Sequence, residues 1–201
     1  MSFTDMKVKE QLLKLISPFL IIFIAVILRL IPHIPNFAPI TAMALFGGVY
    51  LNKKYALFIP LIVMMISDYL LLYINPFSSQ MFHFNYLYPP RYLLHSTTFA
   101  VYGSFLISGL VGLWLRNHKT IANVFFATIF CSLQFFLITN AAVWIAGMYD
   151  RSIIGLWESY IAGIPFYRGT VLGDFFYTGV FFGGYEFVLR LAKSSKPALA
   201  H

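Results

Sequence analysis

Apolar residues in this chain fall into six long runs, with the polar residues gathered between them. The runs are Leu15–Ile31, Ala38–Leu51, Tyr55–Ile74, Tyr92–Leu115, Thr120–Met148 and Thr170–Leu191. A hydrocarbon core about 30 Å thick takes roughly 20 apolar residues of helix. The pattern therefore predicts an all-α polytopic membrane protein with six transmembrane helices. The second run is short and follows PHIPNFAP, where Pro32, Pro35 and Pro39 forbid continuous helix. A short or tilted helix entered from a rigid turn is expected there. Lys7, Lys9 and Lys14 before the first run look like the charged region of a signal peptide. Arg29 interrupts the far end of that run, however, and everything downstream is membranous, so an uncleaved first span is expected. Residues 1–192 read as one transmembrane domain and 193–201 as a disordered tail.

Composition agrees with the pattern. Of 201 residues, 60% are hydrophobic and 10% charged, and the mean hydropathy is +0.78. Soluble domains carry about 25% charged residues. A net charge of +7 could indicate nucleic acid, but the basic residues are dispersed between the apolar runs and read instead as topology determinants. Lys7, Lys9, Lys14, Lys53, Lys54, Arg116, Lys119, Arg190, Lys193 and Lys196 fall on one side, and only Arg29, Arg91, Arg151 and Arg168 on the other. Basic residues accumulate on the cytoplasmic side, so both termini are expected in the cytoplasm. Cys131 is the single cysteine, which excludes an intramolecular disulfide. It lies in an apolar run and reads as a small packing residue.

The connections divide unequally under this topology. Those inside are tight, LNKK and RNHKT. Those outside are long and aromatic: PHIPNF, Asn75–Arg91 and Tyr149–Gly169. Long structured loops tend to carry function, so the outer face is the candidate site. Asp68 follows Lys54 by fourteen positions, about 20 Å along a helix. Asn140 is expected at a similar outer level, with Arg29 at the end of the first span and Asp174 at the start of the sixth. Trp144 and Arg168 flank the last outer loop. Ionisable groups within a membrane are expensive and mark functional sites by default. The structural alternative is an Asp68–Arg29 or Asp174–Arg168 pair that only joins helices. Asp174 also has a local explanation, in the favourable first turn of the sixth helix. Glu186 and Arg190 are four apart in the acid-before-base order of a helix pair.

In Phe82–Tyr88, aromatic residues recur at every second position, as in an extended segment with one aromatic face. That fits a lid over a planar ligand, contributed by Tyr86 and its neighbours, or an interfacial aromatic belt. His83 is a weak candidate for a metal or a metallated ligand. No HxxH, HExxH, CxxC, Ser–His–Asp order or glycine-rich phosphate loop occurs, so catalysis and ATP binding by this chain are not expected, nor any cofactor. Gly179–Gly183 and Ala38–Ala42 are small-xxx-small pairs that permit close helix contact.

Three segments together carry a resemblance: RLIPHIPNFAPITAMALFGGVYLNKKYALFIPLIVMMISDYLL, FFLITNAAVWIAGMY and IPFYRGTVLGDFFYTGVFFGGYE. They resemble a family of small, uncharacterised bacterial integral membrane proteins. That family is similar in turn to the substrate-binding S components of energy-coupling-factor (ECF) vitamin transporters. The resemblance implies an S-component-like bundle in the bacterial cytoplasmic membrane. It also implies a vitamin-like ligand bound at the outer side, under the three long loops, where Asn36, His83 and Tyr86 lie. S components that dock on a shared energising ATPase module carry an alanine-x-x-x-alanine patch in the first helix. The first span here, SPFLIIFIAVILRLI, has only Ala25. The leading expectation is a binding and transport protein for a small nutrient, using Asn36, Asp68, His83, Tyr86, Asn140, Trp144, Arg168 and Asp174. The alternatives are a structural or partner-binding membrane subunit, and an intramembrane enzyme.

Overall fold

The computed structural model describes residues 18–31, 36–75 and 89–194. The aromatic loop Phe82–Tyr88, with His83 and Tyr86, and the C-terminal tail from 195 lie outside them. Among the described residues the fold is all-helical, with six α-helices: α1 Pro18–Leu30, α2 Ile40–Tyr50, α3 Phe58–Leu70, α4 Thr98–Leu115, α5 Ile121–Ile145 and α6 Ile153–Ser194. A 3-10 turn, Pro90–Leu94, precedes α4. Helices α4 and α5 are long and apolar enough to cross a membrane. With 11 and 13 residues, α2 and α3 rise only about 16 and 20 Å, so six full-length spans are not what the described helices supply.

The bundle is built around α2. Nine consecutive residues, Thr41 to Val49, are buried, so this helix has no outward face. A helix apolar all round belongs in a core, and ITAMALFGGVY has that composition. It packs most extensively on α4 and also meets α6. On the α4 side the two backbones touch. A Cβ on Gly48 would lie 2.6 Å from Gly112 Cα, and one on Gly112 would lie 2.4 Å from Leu45 O. On the α6 side, Phe46 is packed edge-on by Phe181, Phe182 and Tyr185 at centroid distances of 5.5 to 6.1 Å. Arg116, just past α4, donates to the carbonyls of Gly48 (2.6 Å) and Leu51. Those carbonyls have no partner within α2, and in an apolar setting each would otherwise cost free energy.

Helix α5 starts on Thr120, whose hydroxyl accepts from the Asn123 N–H at 3.1 Å. It ends in a Schellman turn. Gly147 takes φ +79°, its N–H donates to Trp144 O, and the Met148 N–H donates to Val143 O. Ser152 then caps α6 through the Gly155 N–H at 3.1 Å. The connection from α5 to α6 is therefore one tight turn, residues 146–152, and the long outer loop expected over Tyr149–Gly169 is helix from Ile153 onward. Gly163, Pro165 and the scattered charges make that stretch read as a loop. Proline removes one backbone donor and crowds the preceding turn, but contacts with α5 outweigh that cost. Ser159 Oγ donates to Asn140 O at 2.7 Å and Tyr160 Oη to Leu137 O at 3.0 Å. The resulting 42-residue α6 is about 63 Å long.

Two further expectations are corrected. Glu186 is bound by Lys119 and by Tyr50 (2.8 Å), rather than by Arg190 four residues on. A partner from another element holds it where the local pair would be solvated. Gly179 and Gly183 support no close helix contact, since a Cβ at either would meet nothing within 4 Å. Glycines that do so include Gly48 and Gly112 between α2 and α4, and Gly163 between α6 and α5.

Gly112→Ala should thus lower stability by about 1–3 kcal/mol, the usual cost of forcing extra volume into a packed contact. Gly179→Ala should be neutral or gain up to about 1 kcal/mol from helix propensity. Thermal unfolding of the two variants in detergent checks the contrast, and similar losses from both would refute the α2–α4 contact.

Candidate functional site: a polar cleft between α1, α3 and α4

The segment MMISDYL near the end of α3 turns Ser67 inward, where it is 1% exposed, and leaves Asp68 at the margin. Arg29, one residue before the end of α1, reaches both. Its guanidinium donates to the Ser67 hydroxyl and the Asp68 carboxylate, and at 3.3 Å to Met64 O. Tyr102 of α4 donates to the other Asp68 oxygen at 2.6 Å. The side chains of Arg29 and Asp68 stay 15% and 23% exposed, so the pair is neither dry nor fully solvated.

Arg29, Met64, Asp68 and Tyr102 line a cleft of about 360 Å³. Its walls add Leu71 and Leu72 after α3, Leu93 and His95 from the 3-10 turn, and Thr98 from α4. The position of His95 is set locally. Prolines 89 and 90 delay the start of the helix, so α4 begins at Thr98 and not near Tyr92, and the Thr97 hydroxyl pairs with His95 Nδ1 at 2.9 Å. Small-molecule sites are concavities of about 300–1,000 Å³, mostly apolar with a few placed polar groups. Among the described residues Arg29 uses only some of its five N–H donors, so the cleft offers donors beside a carboxylate and a phenol. That combination suits a ligand carrying both acceptor and donor groups.

Among the described residues expected at the site, only Asp68 borders this cleft. Asp174 is 1% exposed and is tied to α5 by the Ser132 hydroxyl, with Thr41 of α2 alongside. Because Ser132 precedes Asn140 by eight positions on α5, Asp174 and Asn140 are separated by about 12 Å in depth and do not form one layer. Asn140 packs against Gly163, where a Cβ would lie 2.4 Å from its Oδ1, and its Nδ2 donates to Phe136 O at 2.8 Å. Trp144 Nε1 donates to Asp150 O (3.0 Å) and Ser152 O (3.1 Å), clasping the α5–α6 turn. Arg168 is exposed, and among the described residues it forms no ion pair with Asp174. Asn36, at φ +60°, is an exposed turn residue ahead of α2. Tyr102, Ser67 and His95 were not singled out in the sequence. A lone tyrosine in an apolar run has no periodic signal, and its role depends on which helix faces it.

Among the described residues, no group of three His, Cys, Asp or Glu could hold a metal ion. Among the described residues, fold and site together define a helical bundle with at least two helices fit to cross a membrane and a polar cleft. The chain belongs to a family of unknown function, DUF6580, whose profile matches residues 9–199. Neither a curated protein nor a solved structure matches the chain, so no comparison links it to S components.

The two carboxylates should respond differently to mutation. Asp174→Ala strands the Ser132 hydroxyl and opens a void, and should cost about 2–4 kcal/mol of stability without any ligand. Asp68→Asn keeps the shape and leaves Arg29 beside a cleft that admits water, so about 1 kcal/mol is expected. Denaturant or thermal unfolding of both in detergent measures this. Equal losses would mean that Asp68 is as dry as Asp174.

Proposed function

We propose that the chain is a multi-pass protein of the bacterial cytoplasmic membrane that binds a small, vitamin-like nutrient in the α1/α3/α4 cleft as part of its uptake. The observation that carries this reading is the cleft itself, where an arginine, a carboxylate and a tyrosine from three helices converge beside apolar walls. Polar groups placed at such cost within a membrane bundle mark ligand or ion sites by default. Six membrane crossings with both termini in the cytoplasm are supported by the ten-to-four distribution of basic residues. They are supported too by the large apolar side chains that the helices expose, such as Phe23, Ile62, Phe99, Phe126 and Phe176. In this reading the cleft opens toward the outer face, the resemblance to S components supplies the substrate class, and a separate module supplies energy. A purely structural role is favoured by one observation, that Arg29 and Tyr102 already occupy both Asp68 oxygens.

A thermal-shift screen of vitamin-like compounds tests the binding role. A ligand at about 100 times its Kd should add about 2.7 kcal/mol of stability. Asp68→Asn or Tyr102→Phe should weaken that ligand by about 1.5–3 kcal/mol if its charged hydrogen bonds are lost. No stabilising compound, and none co-purifying by mass spectrometry, would leave the structural role in place.

Orientation is tested separately with Cys131 replaced by serine. A cysteine at Arg151, in the exposed α5–α6 turn, should react with an impermeant thiol reagent in intact cells, and one at Asn117 should not. The reverse labelling would invert the topology.

A further inference from the structure

Apart from the cleft, and sharing no lining residue with it, a groove of about 590 Å³ is bordered by α5 and α6. Its walls are mostly apolar, with Phe125 and Val124 on α5 and Phe175 and Phe182 on α6 beside Thr128 and Thr178, and its floor is opened by Gly179 and Gly183. One end is cationic. Lys119 is held there by the Glu186 carboxylate and, at 3.1 Å, by the Tyr50 hydroxyl. Arg190, one turn beyond Glu186, also lines the groove and has no hydrogen-bond or ion-pair partner among the described residues. Two cations against one carboxylate leave this end net positive. From Arg190 to Phe175 is fifteen positions, about 22 Å along the helix, which is within the reach of a fatty-acyl chain.

We propose that this groove seats one acyl chain of an anionic phospholipid, with its phosphate on Arg190 and Lys119. A long apolar channel with a positive charge at one end is complementary to an amphiphile whose head is negative. Basic pockets between membrane helices recognise such headgroups, and the cytoplasmic leaflet that supplies them is the one the basic end faces. A second copy of the chain is a poorer fit, because a two-fold contact along this face would set Arg190 and Lys119 against their own equivalents. The inference rests on the membrane-spanning reading and is independent of the ligand cleft.

The test is native mass spectrometry of the intact protein released from micelles containing equal phosphatidylglycerol and phosphatidylcholine. Wild type should retain phosphatidylglycerol preferentially. Arg190→Gln should reduce that preference about fivefold, the effect of one cation near an anionic headgroup. Gly179→Leu, which fills the floor of the groove, should reduce retention of both lipids. Glycerol phosphate alone, a headgroup without a chain, should not raise the melting temperature. Equal retention of the two lipids by wild type would overturn the proposal, as would unchanged retention in Gly179→Leu or stabilisation by glycerol phosphate alone. So would efficient disulfide cross-linking between chains carrying Gly179→Cys, which would assign the groove to a second copy. Any of these failures, alongside outward labelling at Arg151, would leave the membrane topology standing.

Discussion

The contact between the backbones of α2 and α4 is the constraint on which the rest of the structure depends. Gly48 and Gly112 lie so close that neither position has room for a methyl group. Close approach of this kind is how helices gain contact where surrounding lipid removes the hydrophobic drive between them. It brings the end of α2 within reach of Arg116, which satisfies carbonyls that a helix terminus cannot satisfy itself. With α4 on one side and the aromatic face of α6 on the other, α2 is enclosed over nine residues. The remaining helices then pack around a fixed centre.

The same centre separates two kinds of polar chemistry. Asp174 lies among α2, α5 and α6 with hydroxyl partners and almost no exposure. A carboxylate placed so joins helices, because removing its partners leaves polar atoms that nothing nearby can satisfy. Asp68 has a stronger partner, a guanidinium, yet keeps part of its surface open to a cleft. Water in that cleft can replace a lost hydrogen bond. Two aspartates that look alike in the sequence thus differ in what their removal would cost, and the difference comes from neighbours contributed by other helices.

How far the sequence could be read follows from the same distinction. The six helices and the Arg29–Asp68 pairing were legible, because apolar runs and isolated charges within them are local features. The start of α6 was not. Gly163, Pro165 and Arg168 are loop-like by propensity, and only the bonds from Ser159 and Tyr160 to α5 make that stretch helical. Trp144 read as a site residue because aromatic and polar groups gather around it, yet its indole N–H closes a turn. The glycine pairs were legible as a type of feature but not by position. Gly179–Gly183 has the spacing of a packing motif and lies open, whereas Gly48 finds its partners on another helix, at Gly109 and Gly112. Spacing along one helix cannot say which neighbour will face it.

The cleft has a mechanical consequence because polar contacts hold part of its wall. Helix α3 makes few contacts with α2 and α4 and exposes Phe58, Ile62, Met65, Ile66 and Tyr69. The polar set Arg29, Ser67, Asp68 and Tyr102 ties it to α1 and α4, beside the buried apolar contacts of Pro60 and Met64. Regions with few buried apolar contacts open at low free energy. A ligand that takes a hydrogen bond from Arg29 or Asp68 would therefore compete with the contact that positions α3. Binding and the placement of that helix then share one set of donors and acceptors, and a ligand shifts the helix by as much as its affinity differs between the two placements. The α2–α4 contact takes no part in this exchange, so movement at the cleft can leave the centre of the bundle, and the α5–α6 groove, in place.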